Sequence, residues 1–215
     1  MFAHDEERGW LQAAVGDAPV EMFRDVDGFS TLELRVGRQE RQPRFRLDGL
    51  PSLYEQMLAH DLPLSASDHA RLRAFRASFA RLCGELAAAG VPETMQHDDL
   101  HGNNVCSYNG VARILDWGDS CMSHPFLTLF VTFLHLEEME GLARGDPWFA
   151  RLRDAYLEPW GRPGEHRETF EVAQRIGPFA HVFKELRVLD AIPEKEGHLV
   201  RNLPDILARC IAIAA

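Results

Sequence analysis

"QHDDLHGNNVCSYNGVARILDWGD", residues 96–119, is the stretch on which fold and chemistry both turn. It holds four carboxylates, Asp98, Asp99, Asp116 and Asp119, and two histidines, His97 and His101. Carboxylates repel one another and cost free energy to desolvate, so gathering them calls for a positive species among them. "NNVCSY" and "VARILDW" are strand-like and flank Asn109-Gly110, a dipeptide that favours the positive φ angles of a tight hairpin turn. A hairpin brings the chain back to its starting end. Asp99 precedes the first strand and Asp116 follows the second, 17 residues later, so both are expected near Asn104 at that end. Two carboxylates and an amide oxygen are hard ligands. They suit Mg²⁺, which keeps several waters and shares its shell with phosphates, and one carboxylate is left over to accept a proton.

On both sides of this stretch the pattern is helical. Upstream, Ser65 and Asp68 form the two ends of a capping box. Leu72, Phe75, Phe79, Leu82 and Leu86 then recur at three- and four-residue spacing, and Gly90 and Pro92 supply the stop. "LPSLYEQMLA", residues 50–59, predicts a shorter helix with Pro51 near its start. Downstream, "HPFLTLFVTFLHLEEME" predicts a buried helix opened by Pro125. "DPWFARLRDAYLEPW" predicts another, with Asp146 as N-cap and Pro147 at the first position. "ETFEVAQRIGPFAHVFKELRVLDAI" reads as one helix or two, interrupted at Gly177-Pro178, and "LPDILARCIAIAA" closes the chain. The first 60 residues are the least regular, with short strands expected at residues 10–15 and 30–36. The expected fold class is mainly α with a small β-hairpin, α+β.

Bulk properties narrow the function classes. The chain has 215 residues, enough for one domain or one and a small second. A net charge of −10 argues against a nucleic-acid or anionic-membrane surface, which needs a basic patch. The basic residues are nearly all arginine; Lys184 and Lys195 are the two lysines. Cys83, Cys106, Cys121 and Cys210 show neither a CxxC pair nor zinc spacing, and read as reduced thiols. The N-terminal residues lack the features of a signal peptide, and no apolar run is long enough to span a bilayer, so a cytoplasmic protein is expected.

The stretch from His97 to Trp117 resembles the catalytic and metal-binding loops of the aminoglycoside phosphotransferase and choline kinase group, distant relatives of protein kinases. Their pattern is H-x-D-L-H-x-x-N, a hairpin, then an apolar pair and D-W or D-F. Here it reads His97, Asp99, Leu100, His101 and Asn104, then Ile114, Leu115, Asp116 and Trp117. The resemblance is sharp over residues 95–126. It implies a protein-kinase-like C-terminal lobe with a catalytic loop at 97–104 and a metal loop at 114–119. It implies Asp99 as the catalytic carboxylate that orients the acceptor hydroxyl and takes its proton. Asn104 and Asp116 would bind Mg²⁺ and, through it, the phosphates of ATP. His97, His101 and Asp119 would be structural supports. Asp98 stands where the group often has a small residue, and it receives no catalytic role.

One departure is plain. No lysine precedes Asp99 and there is no G-x-G-x-x-G, whereas kinases of this group use an N-terminal lobe with a phosphate-binding lysine. "ERGWLQAAVGDAP" resembles the last strand of that lobe and its hinge. The expected division is therefore residues 1–60 as a remnant of that lobe with a connecting segment, and 61–215 as the helical lobe. Arg8, Arg24 and Arg35 are candidates to replace the lysine. Three functions stay open. The first is an ATP- and Mg²⁺-dependent small-molecule kinase, impaired for want of the lysine, acting on a hydroxyl of a small acceptor, a cationic one among the candidates. The second is a pseudokinase-like scaffold. The third is a metal-dependent phosphohydrolase using "HDD" and "DLH" as ligands. The acceptor pocket is expected between the helices of 125–160 and 165–205. A homodimer is expected through apolar surface left exposed on the hairpin side.

Overall fold

The structure, a computed structural model, describes residues 45–108, 111–191 and 196–215. The strands expected at 10–15 and 30–36, the three candidate arginines, Lys195 and the Asn109-Gly110 turn lie outside the described residues. Helix α1, Leu50–Ala59, buries Leu50, Tyr54 and Met57 along one face. Helix α2, Ala66–Ala88, begins at the predicted cap: Ser65 Oγ accepts from the Asp68 amide at 3.1 Å and donates to its carboxylate at 2.6 Å. The helix buries Leu72, Phe79, Leu82 and Leu86, and Gly90 follows it with φ 72, the left-handed stop that glycine adopts freely. Tyr54 donates to the Leu72 carbonyl at 2.7 Å, so α1 and α2 share one core across residue 60.

Two antiparallel ladders follow. The expected hairpin pairs β2, Val105–Tyr108, with β3, Val111–Ile114. A second ladder, with no counterpart in the sequence reading, pairs β1, Thr94–Gln96, with β4, Cys121–Ser123. The loop 97–104 joins β1 to β2 and the loop 115–120 joins β3 to β4. Both loops are thereby held at both ends between two ladders. Ser123 Oγ donates to the Phe45 carbonyl at 2.7 Å and fixes β4 to the helical body.

A turn at Pro125–Leu127 leads into α3, Leu129–Glu138. Helix α4, Pro147–Leu157, starts where Asp146 accepts from the Trp148 amide at 2.9 Å. Helix α5, Arg167–Ala191, runs unbroken through Gly177-Pro178, settling the open choice in favour of one helix. Gly177 is there for packing: a Cβ at that position would stand 2.6 Å from Cγ of Phe130 on α3. Helix α6, Glu196–Ala214, buries Leu203, Ile206, Leu207 and Cys210 against α5 and α2. Around α5 the core gathers Tyr54, Phe79, Phe179 and Phe183 from three helices. The architecture is mainly helical with small antiparallel sheets, α+β as expected. No helix among the described residues is long and apolar enough to cross a membrane.

Candidate active site

The loop 97–104 is built from local hydrogen bonds. Asn104 Nδ2 donates to the Asp99 carbonyl at 2.9 Å and to its carboxylate at 3.1 Å. His101 Nδ1 accepts from the Asn103 amide at 3.3 Å, which caps the turn Gly102–Asn104. The other ring nitrogen of His101 lies 3.5 Å from Asp99 Oδ2. Asp99 is thus oriented from two sides, while a third of its side chain stays open to solvent. From below, Thr132 on α3 donates to the Leu100 carbonyl at 2.6 Å, and His135, one turn on, stacks on His101 at 4.9 Å between ring centres.

Two bonds tie this loop to the loop 115–120. The His97 Nε2–H donates to the Leu115 carbonyl at 2.7 Å, and the Leu115 amide donates to the Asn104 carbonyl at 2.7 Å. The ring of His97 also packs against Trp117, 4.8 Å away. Burial holds the His97 imidazole below its usual pKa; the Leu115 carbonyl and the nearby charges of Asp99 and Asp116 work the other way. Asp99 and Asp116 both lie within electrostatic reach of that one ring. The hairpin therefore does what its register implies: Val105 faces Ile114, which sets Asn104 just outside the pair on one strand and Asp116 two residues outside it on the other.

Asp116 adopts a left-handed backbone, φ 56, and a Cβ on Gly118 would stand 3.3 Å from its Oδ1, so the glycine leaves room beside the carboxylate. Asn104 commits its amide nitrogen to Asp99, which leaves its oxygen and the Asp116 carboxylate as candidate donors for a metal. Those are hard ligands of the kind Mg²⁺ takes. Among the described residues no three of His, Cys, Asp and Glu converge to hold a metal by themselves.

Asp98, given no role from sequence, adopts φ 58 and turns toward α5. There Lys184 donates to the Asp98 carbonyl at 3.0 Å and lies 3.9 Å from its carboxylate and 3.5 Å from that of Asp119. Asp119 thus does more than hold its own turn. Burial pushes the Asp98 carboxyl up to about 6, with Lys184 opposing. Burial acts to lower the Lys184 pKa, but Asp98, Asp119 and Asp99 outweigh it and hold the ammonium above its usual range. Sequence reasoning missed Lys184. The signal available was that it is one of only two lysines in the chain.

Beyond α3 lies a cavity of about 640 Å³ between α3, α4, α5 and α6, floored by Phe130, Phe133, Phe149 and Phe170. Glu137 and Arg209 stand at its rim, and Glu137 is engaged by both Arg144 and Arg209, at 2.8 and 2.9 Å. The aromatic side chains Phe149 and Tyr156 of α4 are buried, as core residues are.

Comparison with known proteins bears on the fold and the family. A choline/ethanolamine kinase family protein from Mesorhizobium loti superposes with a TM-score of 0.60 at 20% identity, over 98% of this chain and 64% of that one. The chain thus spans less than two thirds of that protein's length. No curated protein gives a match. The model of the phosphotransferase enzyme family matches residues 11–174, which takes in both loops, and the chain belongs to that family.

Proposed function

We propose that the protein is an ATP- and Mg²⁺-dependent phosphotransferase that moves the γ-phosphate to a hydroxyl of a small molecule. The observation that carries this reading is the Asn104–Asp99 contact beside Asp116, which orients one carboxylate and leaves oxygen donors for a metal. In the transfer step the Asp99 carboxylate accepts the proton of the acceptor hydroxyl as that hydroxyl's oxygen bonds to the γ-phosphorus and the bond from the γ-phosphorus to the bridging oxygen breaks, releasing ADP. Asn104 and His101 keep that carboxylate aimed. Bound through Asn104 and Asp116, Mg²⁺ supplies charge neutralisation on the phosphates. Residues 45–60 pack with the helical lobe.

The cavity of about 640 Å³ is the proposed acceptor pocket, within the size range of small-molecule sites. A cationic acceptor is compatible with the net charge of −10. Turnover by these 215 residues is expected to be weak, since no lysine precedes Asp99. That same absence favours the second reading, a binding scaffold. A phosphohydrolase with "HDD" and "DLH" as metal ligands is the third reading, and it leaves Asn104 and the hairpin to Asp116 without a role. A cytoplasmic setting suits the four free thiols. Self-association is proposed through the hairpin side, where Leu115 is 48% exposed, and sedimentation equilibrium checks it.

Calorimetric titration with ATP, with and without Mg²⁺, and again with Asp116→Ala, decides between kinase and scaffold. Micromolar binding that needs both Mg²⁺ and Asp116 supports the kinase. No binding at millimolar ATP leaves the scaffold.

A further inference from the structure

We propose that Lys184 is a positioning residue that sets catalytic and metal loops in register by holding both from α5. The proposal rests on the phosphotransferase reading only for its nucleotide readout. Lys184 is buried, with 10% of its side chain exposed, and its ammonium offers three donors. These face the Asp98 carbonyl at 3.0 Å, the Asp98 carboxylate at 3.9 Å and the Asp119 carboxylate at 3.5 Å. Asp98 belongs to the loop that carries Asp99, and Asp119 to the loop that carries Asp116. One side chain therefore contacts a near neighbour of each functional carboxylate. Helix α5 packs on α1, α2, α3 and α6, so the ammonium is mounted on the most heavily braced element of the described fold.

The backbone of residue 98 supports the same conclusion. With φ 58 it lies in the left-handed region, which glycine occupies freely and an L-residue occupies at some cost. Asp98 accepts that conformation and also the loss of water around its charge. What it gains is Lys184. A local role in the turn does not need a carboxylate aimed at a helix 86 residues away in sequence. The His97–Leu115 bond links the two loops directly; Lys184 links them again through the helical body. Displacing residue 98 displaces Asp99 with it, and small displacements of a reacting group lower catalysis steeply.

Lys184→Met keeps the length of the side chain and removes the charge; Lys184→Arg restores a cation. Hydrogen–deuterium exchange, read by mass spectrometry without nucleotide, follows peptides covering 97–104, 115–120 and α2. For Lys184→Met the expected result is exchange about tenfold faster in both loops together, with α2 unchanged. Mg²⁺·ATP affinity, read by calorimetry, is expected to fall about tenfold, because both loops lose their common reference. Lys184→Arg is expected to recover most of both effects. The proposal is overturned if both loops exchange as in the parent, if only one responds, if α2 rises in proportion, or if Lys184→Arg fails to rescue. If the parent binds no Mg²⁺·ATP, the phosphotransferase reading fails and the exchange data still decide the role of Lys184. Should Lys184→Met not fold, Asp98→Gly serves: it relaxes the backbone yet removes the carboxylate. Faster exchange in 97–104 supports the tether, and unchanged exchange overturns it.

Discussion

The aromatic centre of the helical body and the loop pair beside the hairpin are stabilised by different physics. In the centre, Phe79 stacks on Tyr54 at 4.6 Å, lies 5.1 Å from Phe179 and meets Phe183 edge-on at 5.9 Å. These contacts are numerous and non-directional, and each ring has several neighbours to share the load. In the loops, two aspartates hold left-handed backbone conformations, and a handful of named bonds keep them there. The centre is redundant and the loops are not. A change in the centre should therefore be read in stability, and a change in the loops in chemistry.

The strongest attempt to break that division is Asp99→Asn. Phosphoryl transfer is expected to fall roughly 10²- to 10⁴-fold, as for loss of a proton acceptor. Unfolding free energy should move by less than about 0.5 kcal/mol, because the side chain is partly exposed. A loss of stability like that of a core deletion would erase the distinction. Phe79→Ala is the converse. It should cost about 3–5 kcal/mol in urea denaturation, and what remains folded should bind Mg²⁺·ATP as before.

The third test uses pH. His124 is fully buried, its Nδ1 accepts from the Phe126 amide, and burial lowers its pKa to about 4. His181 is likewise lowered to about 4 by burial. Each folded-state value lies below that of the unfolded chain, so the unfolded chain takes up its protons first. Stability is therefore full above pH 6.5 and drains as pH falls toward 4, by about 3 kcal/mol for each histidine. Urea titrations between pH 7 and 4.5 measure the slope. His124→Asn, which keeps the capping geometry available, should flatten about half of it. The smallest effect sharpens the comparison from outside both regions: Ser65→Ala removes the cap of α2 and should cost about 1 kcal/mol without altering nucleotide binding.

Which parts were legible in the sequence follows from the range of the interactions. The cap and apolar stripe of α2, the Asp146-Pro147 start of α4 and the β2–β3 hairpin are written within a few neighbouring residues. The position of Asp99, Asn104 and Asp116 at one end of the hairpin was legible because Val105 pairs with Ile114 just inside them. The β1–β4 ladder was not, since three residues per strand are too few to show alternation. The continuity of α5 was hidden because Gly177-Pro178 reads locally as a stop. Its reason, the Phe130 ring, sits 47 residues earlier. Lys184 escaped for the same cause, as its partners lie 86 and 65 residues away.

The nesting of one ladder inside the other also implies an order of assembly. Closing β1 on β4 directly spans Gln96 to Cys121, but the inner hairpin, which closes locally, shortens that span to the two loops. The inner ladder is thus expected to close first, and the outer one after it and after the helices it rests on. By that order the inner hairpin sets the loops 97–104 and 115–120 side by side before the outer ladder shuts, so the repulsion between Asp99 and Asp116 is met early in assembly and not at the final closure.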